Sequence, residues 1–264
     1  MSLDEALLDL HELTRQLRRE CPWDREQTVA TIVPHTVEEA YEVADAALAA
    51  DDEALHGELG DLLYQVTFLS LLLEERGAGD LESVARDVHA KLVRRHPHVF
   101  GDAEARTPGR VRERWEELKT EQEGREGIFH DVPETLPALL EARKVQRRAA
   151  VVGYDWPDLA DPLEKLREEL AELEEAAARA GDPPPETEPD PAAFHELGDL
   201  LFTVVNVARR LNVDPELALR ATTRRFTRRV ELAAELAEAA GEDWRALDLS
   251  AQDAYYDRAK ESLG

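Results

Sequence analysis

The sequence predicts an all-α protein, and three observations support this prediction. Leucines recur at helical spacing from the start of the chain, at positions 3, 7, 10, 13 and 17, which gives one apolar helix face. No stretch alternates apolar and polar residues with the β-branched enrichment that is typical of a strand. Prolines are concentrated in a few short stretches, so the long segments between them are free to form helices.

The apolar spacing predicts ten helices, at about residues 3–19, 36–50, 53–76, 80–95, 110–123, 136–150, 161–180, 192–211, 214–240 and 250–262. Two of the intervening stretches are predicted to be loops. Residues 124–137 contain two glycines and two prolines, and residues 181–191 contain five prolines among acidic residues. Because proline lacks an N–H and clashes with the preceding turn, we expect the second loop to be extended.

The composition excludes several classes of protein. The chain has 264 residues with 58 acidic and 32 basic side chains, a formal charge of −26. Such a chain does not bind nucleic acid non-specifically, which requires a surplus of Lys and Arg. Its 43% hydrophobic content is too high for a disordered acidic tail. The single cysteine, Cys21, excludes an internal disulfide and a cysteine-rich zinc site.

The apolar runs and the first residues of the sequence give no indication of a membrane association. The longest apolar run, near residues 68–73, is far too short to span a bilayer. Acidic residues follow the first methionine, with no basic region ahead of an apolar run, so we expect no signal peptide. The sequence therefore predicts a cytoplasmic protein with no membrane partner and no nucleic-acid partner.

An internal repeat organises the chain. Residues 58–64 read ELGDLLY and residues 196–202 read ELGDLLF; each follows an acidic segment, VEEAYEV at 37–43 and REELAEL at 167–173. The two acidic segments are 130 residues apart, whereas the two E-L-G-D motifs are 138 residues apart. The second copy therefore has eight extra residues between its acidic segment and its E-L-G-D motif, where the proline-rich loop lies. We expect two homologous helical domains, 1–104 and 141–264, joined by a helical linker at 105–140.

The acidic segments suggest a metal site in each copy. Carboxylates three residues apart lie on one helix face, and two such helices packed antiparallel would bring four carboxylates together. Like charges at close range need a cation among them, and oxygen ligands without His or Cys favour Mg²⁺, with Mn²⁺ also possible. The candidate ligands are Glu169, Glu172, Glu196 and Asp199 in the second copy and Glu39, Glu42, Glu58 and Asp61 in the first.

A solvated acidic surface is the alternative, because more than a fifth of the residues are acidic. Two features favour the metal site. Gly60 and Gly198 lie inside strong helices, where glycine costs about 1 kcal/mol relative to alanine. Apolar leucines follow each acidic pair, so we expect these helices to be substantially buried at the acids. Downstream, Arg225 and Arg229 share a helix face and could either pair with surface acids or bind phosphate.

The duplicated E-E-x-x-E and E-L-G-D-L-L-[YF] motifs resemble the MazG family of nucleoside triphosphate pyrophosphohydrolases in its two-copy form. CPWD at 21–24, RRHPHVF at 94–100 and GYDW at 153–156 support the resemblance. It implies an all-α bundle that completes its core by homodimerisation. It also implies Mg²⁺-dependent hydrolysis of NTPs and dNTPs to the nucleoside monophosphate and pyrophosphate, a housekeeping reaction of the nucleotide pool.

The resemblance also implies roles for individual residues. The four acids of the second copy match the family's metal ligands, and Tyr256 falls where the family often has a Trp near the nucleotide. Glu168 or Glu169 could accept a proton from the attacking water. Lys165, Arg225 and Arg229 match positions that bind triphosphate. Because the first copy has His35 in place of Lys165, and His is mostly neutral at pH 7, we expect the second copy to carry most of the turnover.

Two other interpretations remain open at this point. One is a nucleotide-binding regulatory protein with little turnover, which the complete carboxylate set of the second copy disfavours. The other is a helical scaffold with acidic faces, which the predicted burial of the E-L-G-D segments disfavours.

Overall fold

The structure, a computed structural model, describes residues 1–101, 127–130, 132–133, 135–182, 184 and 187–263. Within these ranges the chain is helical and has no strand, so the predicted all-α fold class is confirmed. The predicted helix at 110–123 lies outside the described residues, as does most of the predicted linker at 105–140. The chain divides into two compact units, Met1–Gly124 and Arg125–Gly264.

The first unit is built around one long helical hairpin. Its described helices are α1 (Leu3–Glu20), α2 (Pro22–Glu26), α3 (Val29–Ala49), α4 (Asp52–Glu75), α5 (Leu81–Arg95) and α6 (Pro97–Phe100). Helices α3 and α4 pack against each other after a tight turn at Ala50, whose φ of 53° is left-handed. Ile32, Phe68 and Leu72 form the core between them.

Helix α1 is held against α4 by two ion pairs. Arg15 Nη2 lies 2.5 Å from Glu74 Oε2, and Arg18 Nε lies 2.8 Å from Glu75 Oε1. The Arg18 guanidinium lowers the pKa of Glu75 through this hydrogen bond. These contacts fix the end of the hairpin at which α4 finishes, and Tyr64 of the ELGDLLY motif donates a hydrogen bond to Asp24 Oδ1 on α2 at 3.2 Å.

The second unit contains a similar hairpin with a second helix pair beside it. Its described helices are α7 (Ala138–Val151), α8 (Ala160–Ala180), α9 (Pro191–Arg210), α10 (Pro215–Ala239) and α11 (Leu249–Leu263), with a 3₁₀ turn at Trp244–Ala246. Helix α8 packs on α9, α10 packs on α11, and α7 contacts both α9 and α10. The small core of the α10–α11 pair is formed by Ala233, Ala237, Tyr255 and Ala259.

The largest departure from the predicted helices is at α3, which begins at Val29 rather than near residue 36. Thr28 caps the helix reciprocally with Thr31, and Pro34 lies inside it. The cap satisfies the first free N–H groups of the helix, and this stabilisation of the helix start partly offsets the hydrogen bond that Pro34 cannot donate. The short helices α2 and α6 were not predicted; each has proline in its first turn, where no N–H partner is needed.

The two hairpins differ in their connections. Helix α4 begins only three residues after α3 ends, at Asp52 after Ala49, whereas α9 begins at Pro191 after α8 ends at Ala180. The second connection is therefore eight residues longer, the length of the insertion that the repeat offsets indicate. No helix in the described ranges is long and apolar enough to cross a lipid bilayer.

Candidate metal and nucleotide site

Three of the predicted ligands in the second unit meet at the α8–α9 packing. Glu169 lies on α8, and Glu196 and Asp199 lie one turn apart on α9. One carboxylate oxygen from each lies within 4.8 Å of the other two. Glu169 is buried, Glu196 is partly buried and Asp199 is exposed. The group therefore opens from the helix interface towards solvent, so that an ion and its substrate could approach.

Glu172, the fourth predicted ligand, is not among the carboxylates that lie within 4.8 Å of one another, but it interacts with them electrostatically. Desolvation raises the pKa of Glu172, and the charges of Glu169 and Glu196 raise it further, whereas Lys165 lowers it. Glu172 therefore shares the electrostatic environment of Glu169 and Glu196, which in turn lie beside Asp199. A divalent cation placed there would relieve the repulsion among them.

Lys165 is the cation that the structure brings to these carboxylates. Its Nζ lies 2.8 Å from Oε1 of Glu168 and 2.8 Å from Oε1 of Glu169. The helical spacing of three and four residues places all three side chains on one face of α8. These hydrogen bonds raise the pKa of Lys165, so the ammonium stays charged at any physiological pH.

The first unit has an equivalent group on α3 and α4. Carboxylate oxygens of Glu39, Glu58 and Asp61 lie within 4.8 Å of one another. Glu42 shares hydrogen bonds with the carboxyl groups of Glu39 and Glu58. Desolvation and then the neighbouring carboxylates raise the pKa of both Glu39 and Glu58. The matching acids of the repeat thus converge in each unit.

The donor set in both groups fits a metal ion of the hard, oxygen-binding class. Each group offers carboxylates alone, without His or Cys, which is the ligand type of Mg²⁺, Mn²⁺ or Ca²⁺ rather than of zinc. Both groups could therefore bind a divalent cation.

One sequence expectation about the site is wrong. The E-L-G-D-L-L segments are not substantially buried within the chain: Leu59 and Leu63 are 50% and 41% exposed, and Leu197 and Leu201 are 47% and 48% exposed. The reason is that α3 and α8 each cover only one side of the acidic helix. A Cβ added to Gly60 or Gly198 would meet no atom of the described chain within 4 Å.

The other predicted substrate-binding residues lie on the α10–α11 pair. The ring centroids of Tyr256 and Phe226 lie 5.9 Å apart. The Nζ atom of Lys260 lies 6.0 Å from the centroid of the Tyr256 ring. The charge of Arg229 acts on Lys260, so Arg229 belongs to the same surface. Arg225 is exposed and donates through Nη2 to Thr222 Oγ1 at 3.1 Å. The predicted site residues therefore form two groups, the acids with Lys165 and the α10–α11 surface.

The second unit also contains a cavity of about 470 Å³ that sequence reasoning missed. Its wall includes Trp156 from the GYDW stretch and Phe202 from the end of ELGDLLF. The GYDW and ELGDLLF stretches both carry the resemblance to the family. The sequence signal for the cavity is their aromatic residues, of which Tyr154, Trp156 and Phe202 line it.

Comparison with known proteins identifies the family. A MazG nucleotide pyrophosphohydrolase domain matches residues 27–100, the stretch that holds the first acidic group. The nucleoside triphosphate pyrophosphohydrolase of Escherichia coli K12 is 39% identical over 263 residues, 98% of each chain. The chain belongs to the MazG family of nucleoside triphosphate pyrophosphohydrolases. The pyrophosphohydrolase/pyrophosphatase MazG of Thermotoga maritima is 40% identical over 261 residues, 98% of this chain and 96% of its own.

The two relatives extend the similarity beyond the domain match. Because each covers nearly the whole chain, the similarity includes the second acidic group as well as the first. The resemblance of the chain to the MazG family is thereby confirmed, and the similarity to the two relatives runs through both units.

Proposed function

We propose that this protein hydrolyses nucleoside triphosphates to the nucleoside monophosphate and pyrophosphate, with Mg²⁺ bound by Glu169, Glu172, Glu196 and Asp199. Mn²⁺ would substitute for Mg²⁺ because the ligands are all carboxylates. The relatives named as nucleoside triphosphate pyrophosphohydrolases support the reaction class. In the cell, this reaction would serve as housekeeping of the cytoplasmic nucleotide pool.

The observation that carries the proposal is the position of Lys165 beside the second acidic group. Three carboxylates lie within 4.8 Å of one another, and the ammonium lies 2.8 Å from the buried one, Glu169. A divalent ion bound there supplies charge to neutralise a triphosphate and to activate a water molecule. Lys165 adds a fixed positive charge at the edge of that site, where a phosphate oxygen can replace one of its carboxylate partners.

Each remaining residue has a role that its position supports. The Glu168 side chain is 57% exposed, so it can accept the proton of a water molecule at the open side of the acidic group. Arg225 and Arg229 would bind phosphate oxygens, which the planar guanidinium suits. Tyr256, which lies beside Phe226 and Lys260, would contact the base.

We also infer that the protein is a homodimer. Two leucines of each E-L-G-D-L-L segment, Leu59 and Leu63 in the first and Leu197 and Leu201 in the second, are 41% to 50% exposed, next to the acids that we assign to the metal. A second copy packed on this face would remove these apolar side chains from water, which is favourable in proportion to the area buried.

Pyrophosphate release from a panel of canonical and modified NTPs and dNTPs, with Mg²⁺ and with chelator, tests the function. We expect Mg²⁺-dependent release and the matching monophosphate as the second product. Tight nucleotide binding without pyrophosphate release would instead support the regulatory alternative. An absence of both binding and release would leave the helical scaffold as the better description.

A further inference from the structure

The cavity in the second unit is separate from the residues that carry the proposed function. It has a volume of about 470 Å³ and lies between α7, α9 and the turn at 153–156. Within the described chain, its wall contains none of the residues that we assign to the metal, the phosphates or the base. The rings of Tyr154, Trp156 and Phe202 line it together with a few polar groups, a mixture that is typical of a small-molecule pocket.

One wall position of the cavity is small where the first unit has a large side chain. Helix α1 ends four residues before Asp24, and α7 ends four residues before Asp155. The two helix ends therefore correspond in the repeat, and Arg18 of the first unit takes the place of Ala149 in the second. The guanidinium of Arg18 fills its position, because its Cζ lies 5.9 Å from the centroid of the Phe68 ring.

A second wall position differs in the same direction. Phe68 follows the glutamate that begins ELGDLLY by ten residues, and Asn206 follows the glutamate of ELGDLLF by ten. Phe68 is completely buried in the core of its unit, whereas Asn206 lies in the cavity wall. An alanine and an asparagine thus line the cavity where the first unit packs an arginine on a phenylalanine.

Two polar atoms in this wall are buried and unpaired within the described residues. Gln146 is 4% exposed, and its Nε2 donates to the Phe202 carbonyl at 2.8 Å, while its Oε1 has no hydrogen-bond partner. The Nε of Arg209 is likewise buried without a partner. An unpaired buried polar atom is costly, and here one acceptor and one donor are left over in the same wall.

Both polar groups are held in place around Asn206. The Phe202 carbonyl that fixes Gln146 is one helical turn from Asn206 on α9. Arg209 Nη2 donates to Asn206 Oδ1 at 3.0 Å, and Arg209 Nη1 donates to Asp155 Oδ2 at 3.1 Å. The free acceptor and the free donor are therefore pre-positioned, which lowers the cost of ordering them when a ligand binds.

The charges in the wall favour an uncharged ligand. Among the described wall residues, Asp155 and Arg209 are the charged ones, and they form an ion pair with each other. A charged ligand would bring an unpaired charge against a largely apolar wall, which is unfavourable. A planar amide on an aromatic ring fits better, because it carries one donor and one acceptor in the plane of a flat apolar group.

We propose that this cavity is a second ligand site of the protein, which binds an uncharged aromatic amide. The ring of the ligand would pack on Trp156 and Phe202, its N–H would donate to Gln146 Oε1 and its carbonyl would accept from Arg209 Nε. The site is distinct from the proposed site of hydrolysis and does not depend on it. A bound ligand would contact α9, the helix that also carries two of the proposed metal ligands.

Saturation-transfer NMR of the full chain with 2-naphthamide tests the site. The matched probe is N,N-dimethyl-2-naphthamide, which keeps the ring and the carbonyl but has no N–H. We expect saturable binding of 2-naphthamide and about tenfold weaker binding of the dimethyl compound, because it cannot donate to Gln146 Oε1. A cavity that holds only water would give no saturable binding of either probe, which would overturn the proposal.

Competition with a nucleotide separates this site from the substrate site. An excess of α,β-methylene-ATP with Mg²⁺ should leave the binding of 2-naphthamide unchanged, because the two ligands occupy different places. Displacement of 2-naphthamide would assign the cavity to the substrate and would also overturn the proposal.

Ala149→Arg tests the location, because it introduces the residue that the first unit has at this place. We expect 2-naphthamide binding to be abolished, since the new side chain fills the cavity. Val151→Arg, at a 47% exposed position of the same helix, is the matched control and should bind the probe as the wild type does. Binding that survives in Ala149→Arg, or that is lost equally in both variants, contradicts the location. Asn206→Phe replaces Ala149→Arg if circular dichroism shows that the latter does not fold.

Gln146→Met tests the hydrogen bond. The variant keeps the length of the side chain and removes the acceptor, so 2-naphthamide should bind about tenfold more weakly. The dimethyl compound should bind as it does to the wild type, because it makes no bond to Oε1 in either protein. An equal loss for both amides, or no loss for 2-naphthamide, would show that Gln146 does not accept a hydrogen bond from the ligand.

Discussion

The two acidic groups have matching carboxylates and different neighbours. In the first unit, desolvation and then repulsion from neighbouring carboxylates raise the pKa of Glu39 and Glu58, and His35 Nδ1 lies 3.7 Å from Glu38 Oε2. In the second, Lys165 touches both Glu168 and Glu169 at 2.8 Å. Two sites with the same carboxylates can therefore differ in charge. The difference lies at one position of the repeat, which is Lys165, a permanent cation, in the second unit and His35 in the first.

Removal of a metal ligand should separate the two groups most clearly. We expect Asp199→Asn to lower kcat at least about 100-fold, because an amide cannot supply the charge that holds the cation. The corresponding Asp61→Asn in the first unit should retain most of the turnover. Pyrophosphate release at fixed Mg²⁺ measures both, and unchanged helical circular dichroism shows that both fold. Equal losses in the two variants would contradict the assignment of turnover to the second unit.

Exchange of the basic residue should test why the units differ. Lys165→Met should raise KM for the triphosphate about tenfold or more, since a fixed cation beside several negative charges is lost. The reciprocal His35→Lys, placed in the Asp199→Asn background, should restore part of the turnover through the first group. Initial rates over a range of triphosphate concentrations measure both effects. No gain from His35→Lys would show that other differences between the units keep the first group inactive.

The sequence predicted the acidic groups better than their surroundings. Residue spacing predicts that Glu196 and Asp199 share one helix face, and the structure brings Glu169 of the preceding helix to them. The burial of the leucines around Gly198 was predicted wrongly, because apolar residues indicate which helix face seeks contact and not whether the same chain supplies it. The cavity at Trp156 was not predicted: aromatic residues of two motif stretches were its one signal, and its wall joins segments as far apart as Phe129 and Arg209.

Protonation should stabilise the first unit in the absence of metal. The folded-state pKa of Glu58 is raised by desolvation and by Glu42 and Asp61, so folding favours its protonated form. That contribution is present below the ordinary glutamate pKa and is lost as the pH rises through the higher folded-state pKa. Glu58→Gln should therefore raise the Tm of the chelator-treated protein at pH 7 and change it less at pH 4.

The control for this experiment is the addition of Mg²⁺. A bound cation should raise the Tm of the wild type at pH 7 and have a smaller effect on Glu58→Gln, because the variant has lost one ligand of the first group. A Tm that falls at pH 7 in metal-free Glu58→Gln would mean that the Glu58 carboxylate stabilises the fold without a cation.

The smallest expected effects concern Gly60 and Gly198, which occupy the same place in the two units. An added Cβ would meet no described residue of the chain within 4 Å at either position, so alanine should raise the free energy of unfolding by about 1 kcal/mol in each case through helix propensity. Gly198→Ala should also lower turnover, because this glycine lies beside Asp199 on the open side of the active group, whereas Gly60→Ala should not. Denaturant unfolding and pyrophosphate release measure the two properties independently. A gain in stability with no change in turnover at Gly198 would mean that the substrate does not approach the helix backbone there, and that the glycine is tolerated rather than required.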